Sequence, residues 1–326
     1  MTTINGADQI MKGMISEILD YGTSTENQKV RPVWTDTNEP AYTKKVFGIV
    51  NTYDISAEFP AGTLRPVPFK NCIKELLWIW QKKSNKIEDL GLHIWDQWEG
   101  ADGTIGKAYG YQVGKKSQTI YIKDGKELTG INPEYFDAAR RENILDDRIK
   151  EIKCDWKNVY PIPVKVDQTD YILHELKHNP FSRRIIANMY NIDELDEMNL
   201  HPCAYSITLN VTEENGEKVL NMILNQRSLD VIVAGYWNVC QYAVLLALFA
   251  HCSNMKPGML MHVIADAHIY DRHFDIAKEL ISRESYPAPT LWINPEKRDF
   301  YDITIDDIKL LDYQHNEQIK NIPVAK

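Results

Sequence analysis

One segment, Tyr236 to Asn254, limits what this chain can fold into more than any other. Drawn as a helix, it is apolar on nearly every face, and its run from Val239 to Ala250 is broken by Gln241. A helix that is apolar all round must be surrounded, by protein or by lipid. That run falls short of the ~20 residues that a bilayer span requires. A central core helix is therefore expected, with the other elements packed around it. With 326 residues, 44% of them hydrophobic and 25% charged, the chain has an ordinary globular composition and length enough to enclose such a helix.

The rest of the chain supplies candidate wrapping elements. Ala7 to Tyr21 places Ile10, Met11, Met14, Ile15, Ile18 and Leu19 at the spacing of an amphipathic helix, stopped by Gly22. Val46 to Ile55 reads as strand. Arg65-Pro66-Val67-Pro68 is a connector with two helix breakers. A buried helix is expected over Asn71 to Gln81, with Asn71 as its N-cap and Glu75 on an otherwise apolar surface. Asp170 to Lys177 reads as helix, Leu260 to Ile269 as a buried strand, and the segment carrying Phe274, Ala277, Leu280 and Ile281 as an amphipathic helix. Short strands are expected between Leu291 and Tyr313. Residues 115–166 are charged and irregular, and are expected to form a surface insertion, partly helical near Pro133 to Glu142. No repeat, low-complexity tract or linker appears, so residues 1–326 are expected to form a single domain.

Composition narrows the function classes. The net charge of −9 opposes general nucleic-acid binding. The cysteines at 72, 154, 203, 240 and 252 are scattered and include no CxxC pair, which fits a reducing, cytoplasmic setting. The first residues lack the basic start and apolar core of a signal peptide.

Chemistry concentrates between Arg183 and Asn238. Arg183 and Arg184 are adjacent, Leu200-His201-Pro202-Cys203 follows, and Gln226-Arg227-Ser228-Leu229-Asp230 precedes Asn238. Paired arginines are commonly solvated charge, and a cysteine before a β-rich run is commonly a small buried side chain. Together they suggest more. Guanidinium groups grip phosphate through two prongs. A thiol among cations is expected to have a lowered pKa and to react as thiolate. A carboxylate and carboxamides can read a polar ring. Covalent catalysis on a phosphorylated heterocycle is the resulting expectation.

Seven motifs in register extend this cluster. They are Glu-Leu-Leu-Trp from Glu75, Ile-Trp-Asp-x-Trp from Ile94, Ser-Arg-Arg from Ser182, Pro-Cys at Pro202, Gln-Arg-Ser-x-Asp from Gln226, Asn238, and His-Ile-Tyr from His268. In order and spacing the chain resembles thymidylate synthase of the folate-dependent, cysteine-nucleophile type, over essentially its whole length, and its longer Bacillus-like branch in particular. The resemblance implies an α+β, layered fold, with a large twisted mixed sheet, flanking helices and a sheet-to-sheet homodimer. It implies reductive methylation of dUMP to dTMP, a step of nucleotide biosynthesis, with 5,10-methylenetetrahydrofolate as co-substrate and no metal. It assigns Cys203 as nucleophile, Glu75 as proton manager, Asn238 as reader of the O4/N3 edge, and Tyr109 as neighbour of the departing C5 proton. Arg31, Gln226, Arg227, Ser228, His268 and Tyr270 would hold the nucleotide, with Arg183 and Arg184 reaching its phosphate from the partner subunit. Asp230 would bond the pterin, and Ile94, Trp95, Leu200, Trp237 and Ala325 would complete the folate pocket. Neither a membrane nor a nucleic acid is implied as partner.

Four departures from the family pattern stand out. Ala234-Gly235-Tyr236-Trp237 precedes Asn238 where Gly-x-Pro-Phe is usual. Ala204 follows the nucleophile in place of a common histidine, Ala265 precedes Asp266 where glycine is usual, and Lys326 replaces a terminal apolar residue, which could leave the site leakier to water. The alternative outcome in the superfamily is a pyrimidine-nucleotide 5-hydroxymethylase, in which water replaces hydride. A different class, a metal-dependent hydrolase, would use His262, Asp266, His268 and His273. A non-catalytic nucleotide- or RNA-binding relative would lack the nucleophile or a phosphate arginine, and neither is missing.

Overall fold

The computed structural model describes residues 5–122 and 162–326. The helix expected near Pro133 to Glu142, Cys154 and most of the 115–166 insertion lie outside the described residues. The ends of that insertion are regular rather than irregular: β3 (Gln118–Ile122) pairs antiparallel with β4 (Ile162–Val166).

The main sheet contains β1 (Thr23–Ser24), β2 (Thr43–Asp54), β5 (Ile186–Asn188), β6 (Ala204–Glu214), β7 (Glu217–Gln226), β8 (Leu229–Asp230) and β9 (Lys256–Tyr270). Its strand order is β1-β2-β9-β7-β6-β5, with β8 alongside β9. The β7–β9 and β8–β9 ladders are parallel and the others antiparallel, so the sheet is mixed as expected. Asn215 (φ 53°) and Gly216 (φ 81°) make the two-residue turn between β6 and β7, where both positions need the left-handed region. A small ribbon of β10 (Thr290–Ile293) and β11 (Ile308–Leu311) completes the strands.

Alternation along the strands separates two faces. One cross-strand row, Asn51, His262, Leu224, Ile207 and Ala187, is buried under helices. The next row, Thr52, Met261, Ile223, Thr208 and Ile186, faces the other way, with Met261 36%, Ile223 38% and Ile186 42% exposed. Phe47, on that side of β2, is 89% exposed.

The central helix spans Val231–Cys252, starting earlier than its apolar pattern alone marks. Asp230 caps it, its side chain accepting from the amides of Ile232 and Val233. By length and composition this helix could cross a membrane, but 78% of its most apolar window is buried within the protein. It packs against β9, β7, the N-terminal helix Gly6–Tyr21 and the helix Phe69–Trp80. Asn71 is not the cap of the last helix. The chain turns helical directly after Pro66-Val67-Pro68, Pro68 occupies the N-cap position without a side-chain bond, and Asn71 lies within the first turn.

Candidate active site

A cavity of 780 Å³ opens where the central helix, the helix carrying Glu75, the start of β6 and the end of β7 converge. Its lining includes Arg31, Glu75, Ile94, Trp95, Tyr109, Leu200, Cys203, Gln226, Arg227, Ser228, Asp230, Trp237, Asn238, His268, Tyr270 and Ala325. Sixteen positions expected from the sequence, spread over most of its length, therefore share one space. Arg183 and Arg184 do not line it; they are exposed, just before β5 at the edge of the sheet.

Cys203 stands immediately before β6, where the β6–β7 register shifts between Ala204 and Ser206. Such a bulge re-aims side chains at a strand end. The Cys203 amide donates to the Tyr109 hydroxyl at 3.0 Å. Tyr109 itself has φ 45°, a conformation uncommon for a tyrosine and held here by its burial in the wall. Arg227 fastens the loop from the other side. Its Nε donates to the Pro202 carbonyl (3.0 Å), its Nη2 to the His201 carbonyl (2.8 Å), and Nη2 lies 3.7 Å from the Cys203 sulfur. The expected depression of the thiol pKa is not found. Burial raises it, and Arg227, Tyr109 and Arg31 only partly oppose that rise. The physical reason is position: two of the cations counted in the sequence, Arg183 and Arg184, are not in the cavity of this chain.

Glu75 lines the same cavity as Cys203, from the buried side of the helix Phe69–Trp80. It is 6% exposed. Its Oε1 accepts from the Trp95 indole (2.5 Å), and its Oε2 from the Trp237 indole (2.6 Å) and the Gln241 amide (2.7 Å). Burial pushes the carboxyl pKa up, and the three N–H donors, Trp237 foremost, restrain the rise. Trp95 and Trp237, expected as walls for a flat ligand, thus also hold this carboxylate. Gln241 was visible in the sequence only as a break in an apolar run. A buried carboxamide in an otherwise apolar helix needs a partner, and that was its signal.

The carboxamides behind Cys203 form a second set. Gln226, 2% exposed, donates through Nε2 to the Ser228 carbonyl (2.9 Å) and to Asn238 Oδ1 (3.2 Å). His268 bonds Asp266 (2.8 Å), which also takes a bond from Lys45 (2.8 Å). Burial works against the Asp266 carboxylate, yet the His268 and Lys45 bonds hold its pKa below the usual value. Tyr270 packs edge-on to His268, with ring centroids 5.1 Å apart, and burial pushes its hydroxyl up to about 12. The four residues of the metal reading disperse into other bonds: His262 to Gln226, Asp266 to His268 and Lys45, and His273 to the Pro323 carbonyl.

The C-terminal tail closes one side of the cavity. Val33 and Lys326 exchange both backbone bonds at 2.9 Å, and Ala325 bridges to Trp34. His273 Nε2 bonds the Pro323 carbonyl at 2.7 Å. The terminal lysine is thus pinned through its backbone, which requires no apolar side chain there.

Comparison with known proteins identifies a family. The family model for thymidylate synthase matches residues 9–325. Thymidylate synthase of Bacillus licheniformis is 39% identical over 315 residues, covering 96% of this chain and 96% of that protein. Thymidylate synthase 1 of Bacillus subtilis strain 168 has the same identity and coverage, 39% over 96% of each chain. Thermostable thymidylate synthase A from Bacillus subtilis superposes with a TM-score of 0.79 at 39% identity, covering 98% of this chain and 99% of that structure. On sequence and fold alike, the chain belongs to the thymidylate synthase family.

Proposed function

We propose that this chain converts dUMP to dTMP through a covalent adduct of Cys203, with 5,10-methylenetetrahydrofolate as the second substrate and no metal. The family is one of methyltransferases, so the reaction type follows from membership. The observation that carries the residue roles is that one cavity holds Cys203 beside Arg227 and Glu75 under three N–H donors. Arg31, Arg227 and Ser228 form its cationic and polar end; Ile94, Trp95, Trp98, Leu200 and Trp237 form an apolar, largely aromatic end suited to a flat pterin. Bound there, the folate supplies both the one-carbon unit and the hydride.

The chain's own residues do the following. The Cys203 thiolate adds to C6 of uracil, and the electron pair of the C5–C6 double bond moves toward O4. Asn238 faces the O4/N3 edge and stabilises the charge that develops there. Glu75 manages protons at O4 and at the folate. Tyr109 stands by the proton that leaves C5. His268 and Tyr270 hold the deoxyribose 3′-hydroxyl, and Asp230 bonds the pterin while capping the central helix. The tail at Val324 to Lys326 keeps water from the reacting carbon. C5 bonds the methylene carbon of the folate, then loses its proton as the folate nitrogen leaves; hydride from the folate reduces the exocyclic carbon, the C5–C6 double bond re-forms, and the C6–S bond breaks to regenerate the thiolate.

The protein is proposed to work as a homodimer, packed through the open face of the sheet. Phe47, Met261, Ile223 and Ile186 form the kind of exposed apolar patch that marks an interface. Arg183 and Arg184 lie beside Ile186 at the rim of that face, placed to enter a partner's phosphate site. Hydroxymethylation is disfavoured, since the relatives above are named as synthases. Mixing protein, dUMP and 5,10-methylenetetrahydrofolate should give dTMP and the absorbance rise of dihydrofolate. A hydroxymethyl product with tetrahydrofolate, or no product, would refute the assignment.

A further inference from the structure

His262 sits in the middle of the buried row on β9, opposite Asn51 on β2 and Leu224 on β7. It is 1% exposed and does not line the cavity. Among the described residues its one hydrogen bond runs from Nε2 to Gln226 Oε1 at 2.8 Å. That bond completes a chain of hydrogen bonds whose polarity can be worked out from one end. The Ser228 carbonyl can only accept, so the Gln226 atom 2.9 Å from it must be the amide nitrogen. Gln226 Oε1 therefore faces His262, and an oxygen there requires a donor. His262 must carry its proton on Nε2. The second hydrogen of the Gln226 nitrogen points to Asn238, so the Asn238 atom at 3.2 Å must be its oxygen. With Oδ1 anchored in this way, the amide nitrogen of Asn238 is fixed on the other side of its plane.

We propose that His262 is a positioning residue for base selection, acting through Gln226 to fix which way the Asn238 carboxamide faces. This rests on the reading of Asn238 given above. Uracil presents an acceptor at O4 and a donor at N3, and cytosine reverses the exocyclic group to a donor. A carboxamide locked in one orientation favours one pattern, whereas a carboxamide free to flip can serve both. Removing the His262 donor leaves Gln226 Oε1 buried and unpaired, which favours rotation of Gln226 and release of Asn238. Burial pushes the imidazole pKa down to about 3, so the ring stays neutral and its tautomer carries the orientation.

The test compares wild type, His262→Phe and His262→Gln. The first removes the donor and keeps the bulk of the ring; the second keeps an N–H donor at similar reach. Calorimetric binding of dUMP, dCMP and deoxyribose 5-phosphate is measured for each. His262→Phe should lower the dUMP-over-dCMP preference about tenfold, a change of one buried hydrogen bond, with deoxyribose 5-phosphate binding unchanged. His262→Gln should restore the preference. A folded His262→Phe protein with wild-type preference, or a loss shared equally by all three ligands, overturns the proposal. If wild type itself shows no preference for dUMP, the Asn238 assignment fails first and the proposal falls with it. Nitrogen NMR of histidine-labelled wild-type protein gives an answer that needs no variant: a proton on Nε2 of His262 supports the proposal, and a proton on Nδ1 alone overturns it.

Discussion

At Cys203, burial raises the thiol pKa while Arg227 and Arg31 lower it, and burial prevails in the single chain. On the dimer proposed above, the further cations that favour the thiolate come from the partner subunit. Cys203→Ser keeps the pocket but replaces the thiolate with a poor nucleophile. Turnover should fall at least ~10²-fold with dUMP binding retained, as checked by kcat and calorimetry; undiminished turnover would remove the nucleophile assignment. Glu75 shows the same balance: burial pushes its carboxyl pKa up, and the N–H donors restrain the rise. Trp237→Phe deletes the foremost of them. Fewer bonds to the carboxylate favour its protonated form, so its pKa must rise further. Where the ionised form is needed, the acidic limb of the kcat profile moves to higher pH. A profile with an unmoved acidic limb would show that the indole does not tune this group.

Among the elements, the C-terminal tail has the clearest division of labour. Its hold on Val33 and Trp34 is made by backbone, and its hold on His273 by the Pro323 carbonyl. Side-chain identity at the last position should therefore matter little. Removing Lys326 alone should be mild in kcat, although it deletes the Val33 pair. Removing Val324 to Lys326 should abolish dTMP formation while dUMP still binds, because the reacting carbon is left open to water. Full dTMP formation by the shorter chain would contradict the closing role. The helix start at Asp230 illustrates the same economy: one carboxylate caps the central helix and lines the cavity.

For the whole molecule, the question is which surface completes the site. On the dimer proposed above, it is the open sheet face together with the arginines at its rim. Cys203→Ser and Arg184→Ala chains should each be nearly inactive alone. Mixed and allowed to exchange subunits, half the dimers should carry one intact site, giving about a quarter of wild-type activity. Absence of recovery in a mixture shown to contain heterodimers would mean that each chain completes its own site. Replacing Ile223 with lysine on the open face should give monomers by sedimentation, and activity should fall with the dimer.

Much of this was legible in the chain itself. An all-apolar helix had to be central because its surface has no other stable home, and the side-chain spacing marked the N-terminal helix and the long strands. The spaced Glu75, Cys203, Gln226-Arg227-Ser228 and Asn238 resembled one family strongly enough to announce the reaction. Other things depended on tertiary structure. Asn71 could not be excluded as a cap until the Pro66–Pro68 turn was seen to start the helix early. The shift of the Cys203 thiol depended on burial, a property of the neighbours and not of the residue. Gln241 was an isolated polar letter, and His262 was grouped with Asp266, His268 and His273, until packing brought the two to Glu75 and Gln226. Local propensity and side-chain pattern act over a few residues and can be read along the chain; hydrogen-bond polarity and desolvation are set across space, by residues that meet only when the chain is folded.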